Sequence, residues 1–127
     1  MKHENKRTCV SCNKILTQAH RTLIQYAAYV RAAHPEAHVS CSFRGEADQN
    51  EAHNKGFSRL IWPLSKHNKT PARALDFFYL DGYGKAIWDA KFFKLALSEA
   101  AEVFGLIWGG RWSRPDWPHV EMPDSMP

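Results

Sequence analysis

Between Ile15 and Val30 the apolar residues Ile15, Leu16, Ala19, Leu23, Ala27 and Val30 fall at intervals of three and four. Side chains at that period line up on one face of an α-helix, so this segment must bury a face against something else. The helix is expected to end near Ala33, because the residue before Pro35 is driven out of helical geometry. Other segments carry a different period. Val39-Ser40-Cys41-Ser42-Phe43 alternates, and Ala74-Leu75-Asp76-Phe77-Phe78-Tyr79-Leu80 is aromatic and bounded by Asp81-Gly82, so both read as strands. The polar stretch 45–56 reads as a short helix closing at Gly56, and Ser65 to Pro71 as a loop. Trp88 to Phe104 is apolar at helical spacing and closes at Gly105, and a last strand is expected around His119-Val120-Glu121-Met122. This order, in 127 residues, predicts one small α+β domain spanning residues 1–127, with helices packed on a short antiparallel sheet. Residues 1–13 are polar and are expected to be loose apart from the Cys9-x-x-Cys12 pair.

Composition excludes several classes. Hydrophobic residues at 44% and aromatics at 13% are too many for a disordered chain. The longest apolar runs, such as Leu60-Ile61-Trp62-Pro63-Leu64, fall far short of the roughly 20 residues a membrane span needs. Met1 to Arg7 is charged and leads into no apolar core of a signal peptide, so synthesis in a cytoplasm is expected. A net charge of +4 suits an anionic partner but does not choose among nucleic acid, membrane surface and cell-wall polymer. The cysteines are Cys9, Cys12 and Cys41, an odd count that favours reduced thiols over a disulfide framework. Cys9-x-x-Cys12 is also half of a zinc knuckle, although His3 and Cys41 stand at no recognisable completing distance.

Three residues far apart in sequence, His67, Asp76 and His119, match the donor types of a catalytic zinc site. Such a site takes three protein ligands and leaves a fourth position for water. Two neutral imidazoles and one carboxylate leave the ion with net positive charge, so it remains a Lewis acid. Asp116, three residues before His119, is placed to act as general base. Glu121 shares the strand face of His119 and is either its supporting partner or a rival base. With seven histidines in the chain, spacing alone does not single out this set.

The surrounding residues do. Ser65-Lys66-His67 followed by Ala74-Leu75-Asp76, and Gly109-Gly110-Arg111-Trp112 followed by Asp116-Trp117-Pro118-His119-Val120-Glu121, resemble one family. It is the zinc peptidases that include D-alanyl-D-alanine carboxypeptidases and the L-alanyl-D-glutamate peptidases that phages use as endolysins. Ser42-Phe43-Arg44, Gln49 and Gly56-Phe57-Ser58 also look like that family, so the resemblance runs over residues 39–122. It implies that His67, Asp76 and His119 hold Zn2+, that Asp116 is the acid/base, and that Arg44 grips substrate and stabilises the oxyanion. It further implies supporting or substrate-touching positions at Gln49 and Ser65. Trp112 and Trp117 flank the expected site in sequence and are candidates to line a substrate groove. Two departures stand out. His67 and Asp76 lie nine residues apart where the family usually has seven, which makes Asp81 the substitute ligand, and Val120 replaces a frequent Phe.

The expected activity is hydrolysis of a bond in the stem peptide of bacterial peptidoglycan. The first choice is the L-alanyl-D-glutamate bond, because a short chain without a separate wall-binding domain looks like a phage lysis enzyme. A D-alanyl-D-alanine carboxypeptidase is the alternative within the family. From another class, a non-catalytic basic module for wall polymer or nucleic acid rests on charge and aromatics alone, and no nucleic-acid motif supports it. A monomer is expected, made in the host cytoplasm and released to the wall through a holin.

Overall fold

In a computed structural model of the chain, which describes residues 8–127, the elements appear in the order the periodicity implies, with five strands and a helical layer. Helix α1 spans Val10–Leu16 and α2 Arg21–Ala33, followed by strand β1 at Ala37–Cys41 and helix α3 at Glu46–Asn54. Strand β2 is Ala74–Leu80 and β3 is Ala86–Ile87. Helix α4 (Ala90–Phe93) runs through a π-helical segment, Lys94–Ser98, into α5 (Glu99–Phe104). Strands β4 (Ile107–Trp108) and β5 (His119–Glu121) complete the sheet. The strand order is β1-β2-β5-β4, with β3 pairing β2, and every pairing is antiparallel.

The predicted helical stripe of α2 is buried as expected: Leu23, Ala27 and Val30 join Tyr26 in the core. They pack with Val39, Leu75, Phe77 and Val120 from the sheet and with Leu97 from the π segment. Tyr26 donates its hydroxyl to the Leu97 carbonyl at 2.9 Å, and its ring meets Phe77 and Phe104 edge-on. A phenol buried in this way needs such an acceptor, and burial pushes its ionisation above the usual range. Full burial of each large side chain of this kind contributes about 1.5–3 kcal/mol relative to exposure.

Several boundaries differ from the sequence reading. The single helix expected from Ile15 to Ala33 is two, because the chain between them pairs with the loop ahead of β2. The His20 amide donates to the Ala72 carbonyl and the Ala72 amide to Gln18, each at 2.9 Å. His20 Nδ1 then accepts the Thr22 amide at 3.1 Å and starts α2 as its cap. Residues 8–13, expected to be loose, lead into α1, whose Cys12 and Leu16 are buried; residues 1–7, including His3, lie outside the described residues. Cys9 and Cys12 are joined as a disulfide, against the expectation of reduced thiols, while Cys41 is free. Trp88 is excluded from the third helical segment, since Asp89 caps it by accepting the Lys91 amide at 2.9 Å. Gly105, at φ +70°, ends α5 as the composition suggested.

Candidate active site

The sheet register assembles the site. Asp76 of β2 is paired with Cys41 of β1 on one side and with His119 of β5 on the other. A slip of one residue would turn Asp76 toward the core, so the buried Leu75 and Phe77 on either side fix its direction. His67 arrives from a 3-10 turn, Lys66–Asn68, that Ser65 caps reciprocally. Ser65 Oγ accepts the His67 amide at 3.2 Å, and Asn68 Oδ1 accepts the Ser65 amide at 3.0 Å.

The two imidazoles meet edge to face with centroids 5.2 Å apart, and Asp76 lies between them. His119 Nδ1 stands 3.0 Å from Asp76 Oδ1, and His67 Nε2 stands 3.3 Å from Asp76 Oδ2. His67 Nδ1 donates to the Ser42 carbonyl at 2.7 Å, which fixes the tautomer and leaves Nε2 with its lone pair directed inward. That Nε2 is the single buried side-chain N or O atom among the described residues with no well-aligned hydrogen-bond partner. These are donor types a zinc-class ion takes, and they fall in two groups that share Asp76: Cys41 with His67, and Asp116 with His119, the ligand atoms of each group lying within 4.8 Å of one another.

The electrostatics agree. Burial works against charge on His67, yet Asp76 outweighs it and holds that imidazole up to about 10. His119 is likewise desolvated but raised to about 9 by Asp76 and Glu121. Asp76, although buried, is held far below the usual carboxylate range by the two histidines. The pocket therefore attracts positive charge, which protons supply when no metal does.

Around this centre stand the other expected residues. Asp116 Oδ groups with Asp76 and His119 donors, all within 4.8 Å of one another. Burial first, and then the neighbouring Asp76 charge, push its carboxyl above the ordinary range, as suits a base that must hold a proton transiently. Its position depends on Gly109, whose carbonyl accepts the Asp116 amide at 2.9 Å. Gly110 packs under the Trp108 ring so closely that a Cβ there would fall 2.2 Å from it. The Gly109-Gly110 pair is thus the means by which the β4–β5 connection folds back on the site. Arg44 reaches Asp76 Oδ2 at 3.3 Å and Gln49 Oε1 at 3.1 Å. Trp112, partly exposed, lies with its ring 5.2 Å from that of His119, at the rim.

The surroundings of four further residues narrow the readings made of them. Gln49 is fully buried, with Nε2 donating to Ser58 Oγ and the Leu60 carbonyl and Oε1 accepting from Arg44 and Asn68. It positions Arg44 and the 58–60 loop rather than facing substrate, and the buried Ser65 is engaged in capping. Glu121, read as supporting partner or rival base, is engaged with neighbours on both sides. It accepts from His119 Nε2 at 2.8 Å and pairs with Lys66 Nζ at 2.9 Å, and these partners outweigh burial and hold it ionised. Asp81, the substitute ligand, lies in an exposed turn where it accepts the Tyr83 and Lys85 amides, away from the cluster. Sequence reasoning missed Ser42 and Asn68. A backbone carbonyl that orients a histidine leaves no residue-type signal, although the Asn68 cap has one in Ser65-x-x-Asn68.

Residues 61–122, which hold both histidines, Asp76 and Asp116, match the family described as D-alanyl-D-alanine carboxypeptidase. That segment, just under half of the chain, is similar to this family. Its fold is similar to the crystal structure of Serratia marcescens L-Ala D-Glu endopeptidase ChiX, with a TM-score of 0.75 and 23% identity. The match covers 91% of this chain and 89% of that one. No curated protein sequence matches the chain.

Proposed function

We infer that the chain is a zinc-dependent peptidoglycan peptidase that hydrolyses the L-alanyl-D-glutamate bond of the stem peptide. The observation that carries the reading is the orphaned His67 Nε2, converging with His119 Nδ1 on Asp76 and with Asp116 alongside. His67, Asp76 and His119 hold Zn2+, which supplies Lewis-acid polarisation of the scissile carbonyl and acidifies water. Asp116 takes a proton from the attacking water and passes it to the leaving amine. Arg44, held by Gln49, presents its guanidinium to the developing oxyanion or to a substrate carboxylate. Glu121 keeps the His119 ring in register by accepting from its Nε2. Trp112 forms one wall of the groove.

The choice of bond is supported by the fold likeness to an L-Ala D-Glu endopeptidase, while the family's own description favours terminal D-Ala removal. Digestion of purified peptidoglycan with and without a chelator, read by mass spectrometry, separates them. Stem peptides lacking their N-terminal L-Ala establish the endopeptidase, and release of single D-Ala establishes the carboxypeptidase. No cleavage by the zinc-loaded protein refutes both. A cytoplasmic origin followed by release to the wall through a holin, as a monomer, accompanies the endopeptidase reading.

A further inference from the structure

The end of the sheet away from Asp76 carries a second convergence of metal-ligand atoms. Cys9 caps α1, Cys12 lies in its first turn, and His38 projects from β1 beside them. The two sulfurs and a ring nitrogen of His38 all lie within 4.8 Å of one another. Cys12 Sγ is 3.9 Å from His38 Nδ1. That is long for a hydrogen bond, but near the spacing of two ligands on one tetrahedral ion, roughly 3.5 Å for donors about 2.0–2.3 Å from zinc.

Three further features suit an ion. The Cys12 amide donates to Cys9 Sγ at 3.1 Å, and the Val39 amide donates to Cys12 Sγ at 3.3 Å. Backbone donors aimed at sulfur favour the thiolate, which is the ligating form. The site is buried, with Cys12 at 1% and Cys9 at 6% exposure, and two thiolates with a neutral imidazole cancel a divalent charge there. The His38 ring is held in plane by stacking on Phe78, with centroids 5.2 Å apart. None of these residues belongs to the His67–Asp76–His119 cluster.

We propose that the reduced chain binds a second, structural zinc-class cation through Cys9, Cys12 and His38. A dithiol reductant opens the Cys9–Cys12 bond, giving up two electrons and two protons and closing its own disulfide. The ion then displaces the two thiol protons to solvent and takes the lone pair of His38 Nδ1. Among the described residues three donors converge. Disulfide and ion are alternative occupants of the same two sulfurs, so redox state decides which one pins α1 to β1. That anchorage reaches the catalytic cluster along one path. Ser42 Oγ donates to the Ile15 carbonyl of α1 at 2.6 Å, and the Ser42 carbonyl orients His67 at 2.7 Å.

The test is an anaerobic titration of the full chain with Co2+, reduced by a dithiol that is then removed. Two ions per chain are expected, one showing a thiolate-to-cobalt charge-transfer band. The oxidised chain and the Cys9→Ser/Cys12→Ser variant should bind one ion and lack the band. His67→Ala should keep the band, and His38→Ala should shift the accompanying d–d bands. A single ion without the band in the reduced wild type overturns the proposal. So does a band that survives Cys9→Ser/Cys12→Ser but disappears in Cys41→Ser, since Cys41 Sγ lies 3.8 Å from His67 Nδ1 and would then be the ligand. Should the double variant not fold, alkylation of the reduced wild type decides. Zn2+ should shield Cys9 and Cys12 while Cys41 still reacts, and equal labelling with and without Zn2+ refutes the site.

Discussion

Replacing Gly109 with alanine tests whether close backbone approach, rather than loop composition, places Asp116, the proposed general base. The added Cβ would lie 2.7 Å from the Asp116 carbonyl oxygen, 3.2 Å from Asp116 Cβ and 3.3 Å from His119 Cβ. The nearest of these is backbone, so relief requires the strands of the connection to part by roughly half an ångström or more. They are not free to part, because Gly109 accepts the amides of Asp116 at 2.9 Å and Trp112 at 3.2 Å. The displacement is therefore passed to Asp116. Overpacking of this kind costs about 1–3 kcal/mol. For a domain of this size that lowers Tm by roughly 3–5 °C per kcal/mol. Misplacing a catalytic group by a substantial part of an ångström lowers kcat by about 10–100-fold. Zinc content should hold near wild type, because His67 and Asp76 come from elements that the added methyl does not touch. Rates on purified peptidoglycan, metal content by mass spectrometry and Tm are measured on the same preparation. A wild-type rate at an unchanged Tm would refute the argument. Loss of the metal along with the rate would show that the strain falls on His119 instead of Asp116.

Asp116→Asn should abolish turnover while retaining zinc, as checked by metal analysis; loss of the ion would make Asp116 a ligand. Asp76→Asn should lose both, since this carboxylate lies between the two histidines. Glu121→Ala frees the His119 ring and should weaken zinc about 10–100-fold in a competition titration, with a smaller change in kcat for the fully loaded enzyme. The metal-free protein should show a defined pH dependence. His67 and His119 are raised to about 10 and about 9, above their unfolded value of about 6.5. Their contribution to apo stability is therefore fully present below pH 6.5 and lost as pH rises through 9–10, readable as a falling Tm. Because zinc must displace these protons, its affinity should rise with pH up to about 10, with proton release in calorimetry across buffers of different ionisation enthalpy.

The parts of the fold that the sequence disclosed are those with a repeating physical cause. The α2 stripe, the β2 run and the closing glycines Gly56 and Gly105 each follow from a period or a positive φ, and each is in place. Strands β3 and β4, two residues apiece, are too short to show a period and exist because their neighbours offer free ladder positions. The split between α1 and α2 depends on Ala72, more than fifty residues away, and no local signal announces it. The cysteine reading failed for a related reason. An odd count argues about compartment, whereas pairing is decided by geometry, and the Cys9 cap brings its sulfur onto Cys12.

The widened spacing between His67 and Asp76 shows how the two kinds of information combine. Counting residues leaves Asp76 and Asp81 both in contention, because a loop can absorb any length. The strand cannot. Within β2 the buried Leu75 and Phe77 must face the core, so Asp76 faces away from it, toward Cys41 and His119 in the adjoining ladders. Asp81 lies one residue past the end of the strand, where its carboxylate is spent on the amides of Tyr83 and Lys85. The extra loop residues are taken up before the strand begins, where Ala72 pairs with Gln18 and His20 and Arg73 donates its amide to the Lys66 carbonyl at 3.0 Å. A ligand set can therefore tolerate insertion in its loops, provided that the register of the strand carrying the carboxylate is fixed by apolar neighbours on either side.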